Sequence, residues 1–480
     1  MTSTRPARTP APVADIVTLR PTGSGAPDAL RRRAIGVLEK NARPGYVAPA
    51  LGIYVHQHLW DTCFTAIGQR HYDLEGAVGS LRRLVGAQWK NGMVPHIRYE
   101  KSWRYWWDRQ VWRSWVSPAA PRRVATGGIT QPPMIAEAVV RVGELLPPSD
   151  RQAWYRRMYP SLLAYHEWLH FDRALDGSGL VFQIHPWETG LDNSPPLIDV
   201  LDRAPSPWWL DVVARTGADR LATRLRWDTR YVPADERSST LEALRLYAAL
   251  AHIRRLRYDS RAAFDEGPFV IEDLTFNCIL VRANARLREI AAEIDQPLPA
   301  RLADASSAHE GALCALWDAD DECYHSRDPR TAELIREPSI ASLMPLYAGC
   351  ADPARASRMV ATLADPTAFG SPYPVPSVPM GSRCFDPRRY WQGPTWVNTN
   401  WLLIDGLRRY GYHPEADSLR LSTLAVVEKS GFREYYHPRT GDPAGANDFS
   451  WTAALVVDLL TEARLSDGAG APVTGPPPAD

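Results

Sequence analysis

The sequence predicts an all-α protein, and three observations lead to that prediction. Apolar residues recur every three or four positions through most of the 480 residues, as in helices that bury one face. No series of strands with alternating apolar residues is visible. The connections are alternately short and long, which favours stacked helical hairpins. Six hairpins closed into a ring would form an (α/α)6 barrel with long functional loops at one end. An open solenoid should show a repeat period, and none is evident.

The predicted helices extend from residue 27 to residue 463. The clearest runs from Ser238 to Leu256, where Leu241 and Leu244 share one stripe and Ser/Thr residues occupy the capping position. Val270 to Ile294 repeats the pattern. The other predicted helices are 27–40, 57–70, 73–89, 132–146, 149–171, 299–317, 338–346, 352–363, 394–410, 413–429 and 448–463. The Pro- and Gly-rich segments predicted as loops are 117–133, 176–196, 203–210 and 364–394.

Length and composition predict one large domain between two tails. At about 100–200 residues per domain the chain could hold several small domains, but the helical pattern favours a single domain over 26–464. Residues 1–25 and 465–480 are rich in Pro, Gly and Ala and are predicted to be disordered. Lys+Arg and Asp+Glu both number 55, so no general attraction to nucleic acid or anionic lipid is expected. Neither a membrane-spanning run nor an apolar leader is visible.

Tryptophan and cysteine usage narrow the functional class. The chain has 18 Trp but only 10 Phe. Leu, Ile and Val fill a core without an N–H group to satisfy, whereas the flat face and single donor of Trp suit the C–H face of a sugar ring. A core position remains the alternative for any single Trp. The six cysteines form neither a CxxC pair nor a cluster with zinc spacing, which predicts reduced thiols in a cytoplasmic protein.

The first candidate segment of a site ends in Trp60-Asp61, at the start of a predicted helix. Asp61 could simply be an acidic residue favoured by the helix dipole. Alternatively, its carboxylate accepts two hydroxyl groups of a sugar that stacks on Trp60, close to Tyr54. A metal site is a weak alternative, since no cluster of carboxylates accompanies the nearby histidines. Those histidines are His56, His58 and His71.

The second candidate segment is rich in tryptophan and lies between His96 and Gln131. Five Trp occur within residues 103–115, interleaved with arginines. Such interleaving also suits single-stranded nucleic acid, but the zero net charge argues against it. We expect a mobile aromatic lid over a pocket, with His96 and Gln131 pointing polar groups at the ligand.

The third candidate segment is the loop 184–196, which contains Trp187, Gly190 and Asp192. Cleavage of a glycoside needs a carboxylic acid that protonates the departing oxygen, and a constrained, desolvated loop can raise the pKa of such a group. The alternative is that Asp192 and its two successors cap a helix over 197–203. The residues of this loop alone leave both readings open.

The fourth candidate segment contains Glu434, next to Arg433 in the turn-rich stretch 431–441. Glu434 could form an ordinary ion pair with Arg433. Alternatively it is a general base that activates water, kept ionised by neighbouring Arg and Tyr side chains. A second aromatic wall is predicted from Tyr390, Trp391 and Trp396, with Gly393 in the turn between them.

In sequence order, these segments resemble glycoside hydrolase family 63, especially its small bacterial glucosylglycerate and mannosylglycerate hydrolases. The resemblance extends from about residue 50 to residue 463, and six modest motifs in the same order make it specific. The matching stretches are Trp60-Asp61, Pro95-His96, Gly128-Ile-Thr-Gln131-Pro-Pro, Trp187-Glu-Thr-Gly-Leu-Asp192-Asn-Ser-Pro, Tyr390-Trp391-Gln-Gly393-Pro and Glu434-Tyr-Tyr with Thr440-Gly441.

The resemblance implies an (α/α)6 barrel and an inverting α-glycosidase without a metal or organic cofactor. By the same resemblance Asp192 is the general acid and Glu434 the general base. His96 and Gln131 would reach the leaving group. The residues that would surround the sugar are Tyr54, Trp60, Asp61, Trp187, Gly190, Tyr390, Trp391, Gly393 and Trp396.

One departure from the family concerns the leaving group. In glycerate-releasing members we expect an Arg at a helix start and a Tyr six residues later, both directed at the acid group of the leaving molecule. Arg237 is present, but Ala stands at position 243. Other arginines could bind an acidic substrate through paired hydrogen bonds. They are Arg98, Arg104, Arg226 and Arg230.

The sequence therefore predicts a cytoplasmic, inverting α-glycoside hydrolase acting on glucosylglycerate or mannosylglycerate. Alternative substrates are short α-glucosides or other α-linked compatible solutes. Two other classes of protein stay open: a non-catalytic sugar-binding barrel, and an epimerase or lyase that would use His or Tyr to move protons. The expected partner is a small glycoside, not nucleic acid or a membrane, and a homo-oligomer is left open.

Overall fold

The computed structural model describes residues 26–175, 177–204, 207–219, 223 and 226–469. The predicted N-terminal tail, 1–25, lies outside the described residues, and so does the predicted C-terminal tail beyond residue 469. The last helix continues to Ala469 and therefore includes residues 465–469, which the sequence assigned to that tail.

The described residues are mainly helical. The helices are α1 (Ala26–Asn41), α2 (Leu59–Gln69), α3 (Leu74–Val85), α4 (Trp106–Trp112), α5 (Ile135–Gly143), α6 (Pro148–Asp172), α7 (Pro195–Arg203), α8 (Trp208–Thr216), α9 (Thr240–Arg255), α10 (Ser260–Glu266), α11 (Leu274–Glu293), α12 (Ala300–Leu313), α13 (Pro345–Ala348), α14 (Pro353–Ala364), α15 (Val397–Arg409), α16 (His413–Ser430) and α17 (Ser450–Ala469).

The strands form small antiparallel pairs rather than one sheet. In chain order they are β1 (Ala42–Arg43), β2 (Tyr46–Val47), β3 (Gln57–His58), β4 (Ile97–Arg98), β5 (Trp317–Asp318), β6 (Cys323–Tyr324), β7 (Ser326–Arg327), β8 (Leu334–Ile335), β9 (Arg433–Tyr436) and β10 (Pro443–Asn447). β1 pairs with β2, β3 with β4, β5 with β6, β7 with β8 and β9 with β10. The hairpin of β9 and β10 matters most, because it carries Glu434.

Six helices contact one another in a closed circuit. α2 contacts α5, α5 contacts α11, α11 contacts α13, α13 contacts α15, and α15 contacts α17, which returns to α2. Other long helices lie against this circuit: α1 on α17, α3 on α2, α6 on α5 and α11, α12 on α11, and α16 on α15. Along the chain, helices of the circuit thus alternate with helices that lie against them, except between α13 and α15, where α14 contacts the 3-10 turn before α13.

The sequence explains which helices are surrounded by protein. Every residue of α2 is buried, as are Val397 to Ile404 at the start of α15. A helix that is apolar on all sides can be stable only when neighbours cover all of it. α9 instead begins with the predicted cap, where the Ser239 side chain and the Glu242 side chain form a reciprocal capping box.

Most of the predicted helices are confirmed. The predicted segments 149–171 and 413–429, for example, are α6 and α16. The prediction of a helix over 338–346 is wrong: a 3-10 turn at Ile340–Leu343 precedes the one-turn helix α13, because Pro345 has no N–H to continue the first turn. None of the helices in the described part of the chain has the length and apolar character of a membrane span.

Three short helices (α4, α8 and α10) were not predicted, and α7 was considered only as the helix over 197–203 in the alternative for Asp192. α4 lies in the tryptophan-rich segment, α7 and α8 begin inside predicted loops, and α10 follows α9. Each has no more than nine residues. Such a length is too short for a helical period to stand out from the sequence.

Candidate active site

The proposed acid, Asp192, lies in the loop between the turn Pro186–Glu188 and α7. Buried Glu188 holds this loop, because its two carboxylate oxygens accept the two terminal nitrogens of Arg173, each at 2.8 Å. Oδ2 of the half-buried Asp192 accepts a hydrogen bond from the Tyr390 hydroxyl at 3.2 Å. Burial raises the pKa of Asp192 to about 6, against the opposing effects of Arg237 and Tyr390. Asp192 therefore keeps its proton to a higher pH than an ordinary aspartic acid.

The proposed base, Glu434, is buried on β9 and accepts hydrogen bonds from three groups. The Tyr54 hydroxyl donates to Oε1 at 3.1 Å. Nη1 of Arg237 lies 3.2 Å from Oε1 and 3.3 Å from Oε2. The backbone N–H of Ala446, on β10, donates to Oε2 at 2.9 Å. Together these three groups fix the position of the Glu434 carboxyl group.

Asp192 and Glu434 are connected through Arg237 and Tyr390. The guanidinium of Arg237, which bonds Glu434, lies 4.3 Å from the centre of the Tyr390 ring, and the hydroxyl of that ring bonds Asp192. The charge of Glu434 also contributes to the raised pKa of Asp192. Two acidic residues that are far apart in the sequence therefore interact electrostatically in the fold.

Stacked tryptophans form one wall of this centre. The rings of Trp391 and Trp396 are parallel, with centres 3.8 Å apart, and Trp60 lies 6.4 Å from Trp391. Gly190 approaches the Trp60 ring so closely that a Cβ atom there would lie 2.7 Å from it. A Cβ on Gly393 would lie 2.4 Å from the carbonyl oxygen of Asp386. Both glycines are therefore required by close packing.

Asp61 is a third buried acid at the same centre. It stands in the first turn of α2, as predicted from the sequence. Burial raises the pKa of Asp61 to about 8, and the charges of Glu434 and Asp192 add to that effect. Near neutral pH a substantial fraction of Asp61 is protonated, so its side chain can donate as well as accept a hydrogen bond from a sugar hydroxyl.

His96 and Gln131 each offer an unpartnered polar atom, as expected of groups that meet a ligand. Nδ1 of His96 lies 3.1 Å from the Ile129 carbonyl oxygen, which fixes the proton on Nδ1 and leaves Nε2 as a buried acceptor without a partner. Burial holds the pKa of His96 well below its usual range, so the ring is neutral. Oε1 of Gln131 is likewise buried without a partner. The Trp112 ring lies 4.3 Å from the His96 ring.

The tryptophan-rich segment is divided between the site and the surface. Trp112 is buried, 5.9 Å from Trp187. The other four are exposed, by 48% to 86% of their surface: Trp103, Trp106, Trp107 and Trp115. Nε2 of His56 lies 3.2 Å from the Asp108 carboxylate, which connects α4 to the residue before β3. Trp112 thus approaches the centre as expected of a covering segment, whereas mobility of the segment stays a prediction.

Several sequence-based expectations about individual contacts need correction. Arg433, the sequence neighbour, is not the ion-pair partner of Glu434; Arg237 is. Ser194 occupies the N-cap position of α7, but its side chain makes no capping hydrogen bond. Arg237 bonds Glu434 and also donates to the Tyr54 hydroxyl at 2.5 Å, and its expected contact with an acidic leaving group stays a prediction. Sequence reasoning also missed Trp112 as the ring beside His96.

The histidines considered for a metal site go to separate partners. His56 contacts Asp108, His58 lies beside the Tyr54 ring, and Nε2 of His71 lies 2.8 Å from the Asp458 carboxylate. Across the residues that the structure describes, no group of three or more His, Cys, Asp or Glu side chains could hold a metal ion.

Comparisons with known proteins agree with this geometry. A family model described as the mannosylglycerate hydrolase MGH1-like glycoside hydrolase domain matches residues 54–452. The mannosylglycerate hydrolase of Thermus thermophilus is 37% identical over 88% of this chain and 99% of its own length. The glucosylglycerate hydrolase of Mycolicibacterium hassiacum is 31% identical over 91% of this chain and 99% of its own. A crystal structure of the GH63 mannosylglycerate hydrolase from Thermus thermophilus in complex with Tris and D-glycerate superposes with a TM-score of 0.80, at 36% identity, covering 89% of this chain and 99% of that one.

The fold, its site and these matches together define the class: the protein is a glycoside hydrolase of an inverting family. The family match covers most of the chain, and the relatives align over nearly their whole length. The chain belongs to the MGH1-like glycoside hydrolases of family 63.

Proposed function

We propose that this enzyme hydrolyses mannosylglycerate or glucosylglycerate, with Asp192 as the general acid and Glu434 as the general base. The observation that carries the assignment of roles is the asymmetry between the two carboxyl groups. Asp192 has a raised pKa of about 6 and accepts from one hydroxyl group, whereas Glu434 accepts from a tyrosine, an arginine and a backbone N–H. A general acid must hold a proton before it can donate one, and the raised pKa of Asp192 favours that role.

In the proposed reaction Asp192 gives its proton to the glycosidic oxygen as the bond from that oxygen to the anomeric carbon breaks. A water molecule attacks the opposite face of the sugar, and Glu434 takes one of its protons. The products are the β-anomer of the sugar and free glycerate. Asp192 is then ionised and Glu434 protonated, and exchange of one proton with solvent restores both groups.

The sugar would be enclosed by the rings of Trp60, Trp187, Trp391 and Trp396. Its hydroxyl groups would be reached by Tyr54, Tyr390 and Asp61. His96 and Gln131 would receive the leaving group, since both keep a buried polar atom free. The names of the relatives, and the D-glycerate bound by the Thermus thermophilus enzyme, support a glycerate leaving group.

The substrate is tested by incubating the purified protein with glucosylglycerate, mannosylglycerate, glucosylglycerol, kojibiose, trehalose and sucrose and measuring free sugar. We expect kcat/KM to be highest for one of the two glycerate glycosides. A higher value for a neutral glycoside would contradict the assignment of the leaving group. Proton NMR of the first sugar released should show the β-anomer.

The catalytic roles are tested with Asp192→Asn and Glu434→Gln. Each should reduce kcat by about three orders of magnitude or more, because general acid and base catalysis contribute on the order of 10² to 10⁴ each. Asp417→Asn, which changes an exposed aspartate on α16, is the matched control and should leave kcat unchanged. Near-normal turnover in either variant would remove that residue from the mechanism.

We also propose that the closed circuit of helices is the inner ring of an (α/α)6 barrel, with its partner helices as the outer ring. The alternation of circuit and outer helices along the chain supports this architecture. Residues 26–464 would then form one catalytic domain. The cytoplasm is the proposed location, which the free state of all six cysteines supports.

A further inference from the structure

Glu236 is a buried carboxylate near the centre that the proposed reaction does not use. It ends the short 3-10 turn Ala234–Glu236, directly before Arg237, and is 4% exposed. A buried carboxylate is costly unless its oxygens are hydrogen-bonded or paired with a cation. Its partners therefore indicate what the structure gains from it.

Those partners lie on the hairpin that carries Glu434 and in the loop that leads to Tyr390. Oε2 of Glu236 accepts the backbone N–H of Gly445 at 2.9 Å. Oε1 accepts Nη2 of Arg388 at 2.7 Å. The main-chain carbonyl of Glu236 accepts the hydroxyl of Tyr435, the residue after Glu434. One residue is thus bonded to β10, to β9 and to the loop before Tyr390.

The contact with Gly445 occurs at an irregularity of the hairpin. The pairing of β9 with β10 shifts register between Ala444 and Asn447, and Gly445 has a φ of +69°. In a regular strand successive N–H groups point to opposite sides. Across this bulge, however, the N–H of Gly445 reaches Glu236 and the next N–H, of Ala446, reaches Glu434. The bulge therefore directs two adjacent donors at two carboxylates.

The bulge also leaves no space for a side chain. A Cβ on Gly445 would lie 2.7 Å from Cβ of Glu434 and 2.8 Å from Oε2 of Glu434. The Gly445 backbone therefore packs directly against the Glu434 side chain, so a displacement of that backbone would disturb Glu434.

We propose that Glu236 is a positioning residue: by accepting the Gly445 N–H it holds the β9–β10 bulge so that the Ala446 N–H and Glu434 are aligned for attack by water. This proposal rests on the proposed function, in which Glu434 is the base. The bond between Glu236 and Arg388 adds a second contact with the site. Arg388 lies in the loop before Tyr390, whose hydroxyl reaches Asp192. Glu236 itself touches neither the substrate nor the attacking water.

The test compares Glu236→Ala with Glu236→Gln. Both remove the negative charge, but only glutamine keeps a carbonyl oxygen that can accept the Gly445 N–H. We expect Glu236→Ala to lower kcat by about a hundredfold, the effect of a misplacement of roughly 1 Å. KM should change by less than about threefold, since substrate binding is not addressed. Glu236→Gln should recover most of the lost kcat.

The pH profile gives a readout that a purely structural role would not move. The acidic limb of kcat/KM reports the base of the free enzyme. Removal of the aligned Ala446 donor disfavours the ionised base, so the limb of Glu236→Ala should lie at higher pH than that of Glu236→Gln, although the two have equal charge. Coincident limbs and equal kcat in the two variants would overturn the proposal. The proposal would also be overturned if the activity of Glu236→Ala returned to the wild-type level at temperatures well below the melting temperature of that variant.

Gly445→Ala and Gly411→Ala form a matched pair. Both glycines have positive φ, but an added Cβ at Gly411 meets nothing within 4 Å. We expect Gly445→Ala to lose kcat and Gly411→Ala to retain it; equal kcat in both would count against control of Glu434 by the bulge. The Glu434→Gln variant distinguishes a failure of the proposed function from a failure of the positioning role. If that variant remains active, the proposed function fails; if it is inactive while Glu236→Ala is normal, only the positioning role fails.

Discussion

Replacement of Tyr390 by Phe should move the pH range in which the enzyme is active. The Tyr390 hydroxyl donates to Asp192 at 3.2 Å and lowers the pKa of that group, which burial raises to about 6. A hydrogen bond to a charged group contributes about 1.5–3 kcal/mol, and about 1.4 kcal/mol corresponds to one pKa unit. Loss of the donor destabilises the ionised form, so Tyr390→Phe should shift the basic limb of kcat/KM upward by about one to two pH units.

The assay is a pH–rate profile of Tyr390→Phe and wild type on the preferred glycoside, with initial rates from pH 4 to 9. Phe keeps the ring beneath the Arg237 guanidinium, so the change is restricted to one hydroxyl group. Tyr436→Phe is the control, because the Tyr436 hydroxyl donates to the Gly431 carbonyl at 2.7 Å and bonds neither acid. A basic limb that stays in place or moves to lower pH in Tyr390→Phe would refute Asp192 as the acid restrained by this hydrogen bond.

Two further predictions concern packing and stability. Gly190→Ala places a Cβ 2.7 Å from the Trp60 ring at a φ of +77°, so we expect a higher KM and a loss of about 1–3 kcal/mol in the free energy of unfolding, measured by urea titration beside Gly411→Ala. Burial lowers the pKa of His166 to about 3, that of His170 to about 4 and that of His309 well below its usual range. As the pH falls below about 6.5 the unfolded chain binds protons first, so the free energy of unfolding should fall by up to about 1.4 kcal/mol per pH unit for each histidine. The raised pKa values of Asp61 and Asp192 act in the opposite direction, so the check is a comparison between two proteins. A urea midpoint that depends on pH between 6.5 and 4.5 equally in His166→Asn and in wild type would contradict this expectation.

Long helices could be predicted from the sequence because the spacing of their apolar residues indicates which face is buried. The run from His413 to Ser430 buries Ala416, Leu419 and Thr423, and that spacing identifies the helix without its partners. The β9–β10 hairpin shows no such periodic spacing of apolar residues. Three of the four residues of β9 are buried, so the alternation of a half-exposed strand is missing, and the strand is short. The strand pairing that positions Glu434 therefore could not be predicted from the sequence pattern.

The candidate site could be predicted as a set of residues but not as a set of contacts. Arg433 precedes Glu434 in the sequence and therefore seemed the natural partner. On a strand, however, adjacent side chains point to opposite faces, so Arg433 is directed away from Glu434. The guanidinium that reaches Glu434 belongs to Arg237, whose turn packs against the hairpin through Glu236. Only the fold brings these elements together.

The difference between the two carboxyl groups follows from the elements that carry them. Asp192 is in a loop, where the only hydrogen bond to its carboxylate from another residue in the described part of the chain comes from Tyr390. Burial therefore outweighs the compensating interactions, and the pKa rises. Glu434 is on a strand whose neighbour presents a backbone N–H, and the same side chain meets Arg237 and Tyr54. A loop acid that accepts one hydrogen bond and a strand acid that accepts several can therefore share one centre and still take the different roles that we propose for them.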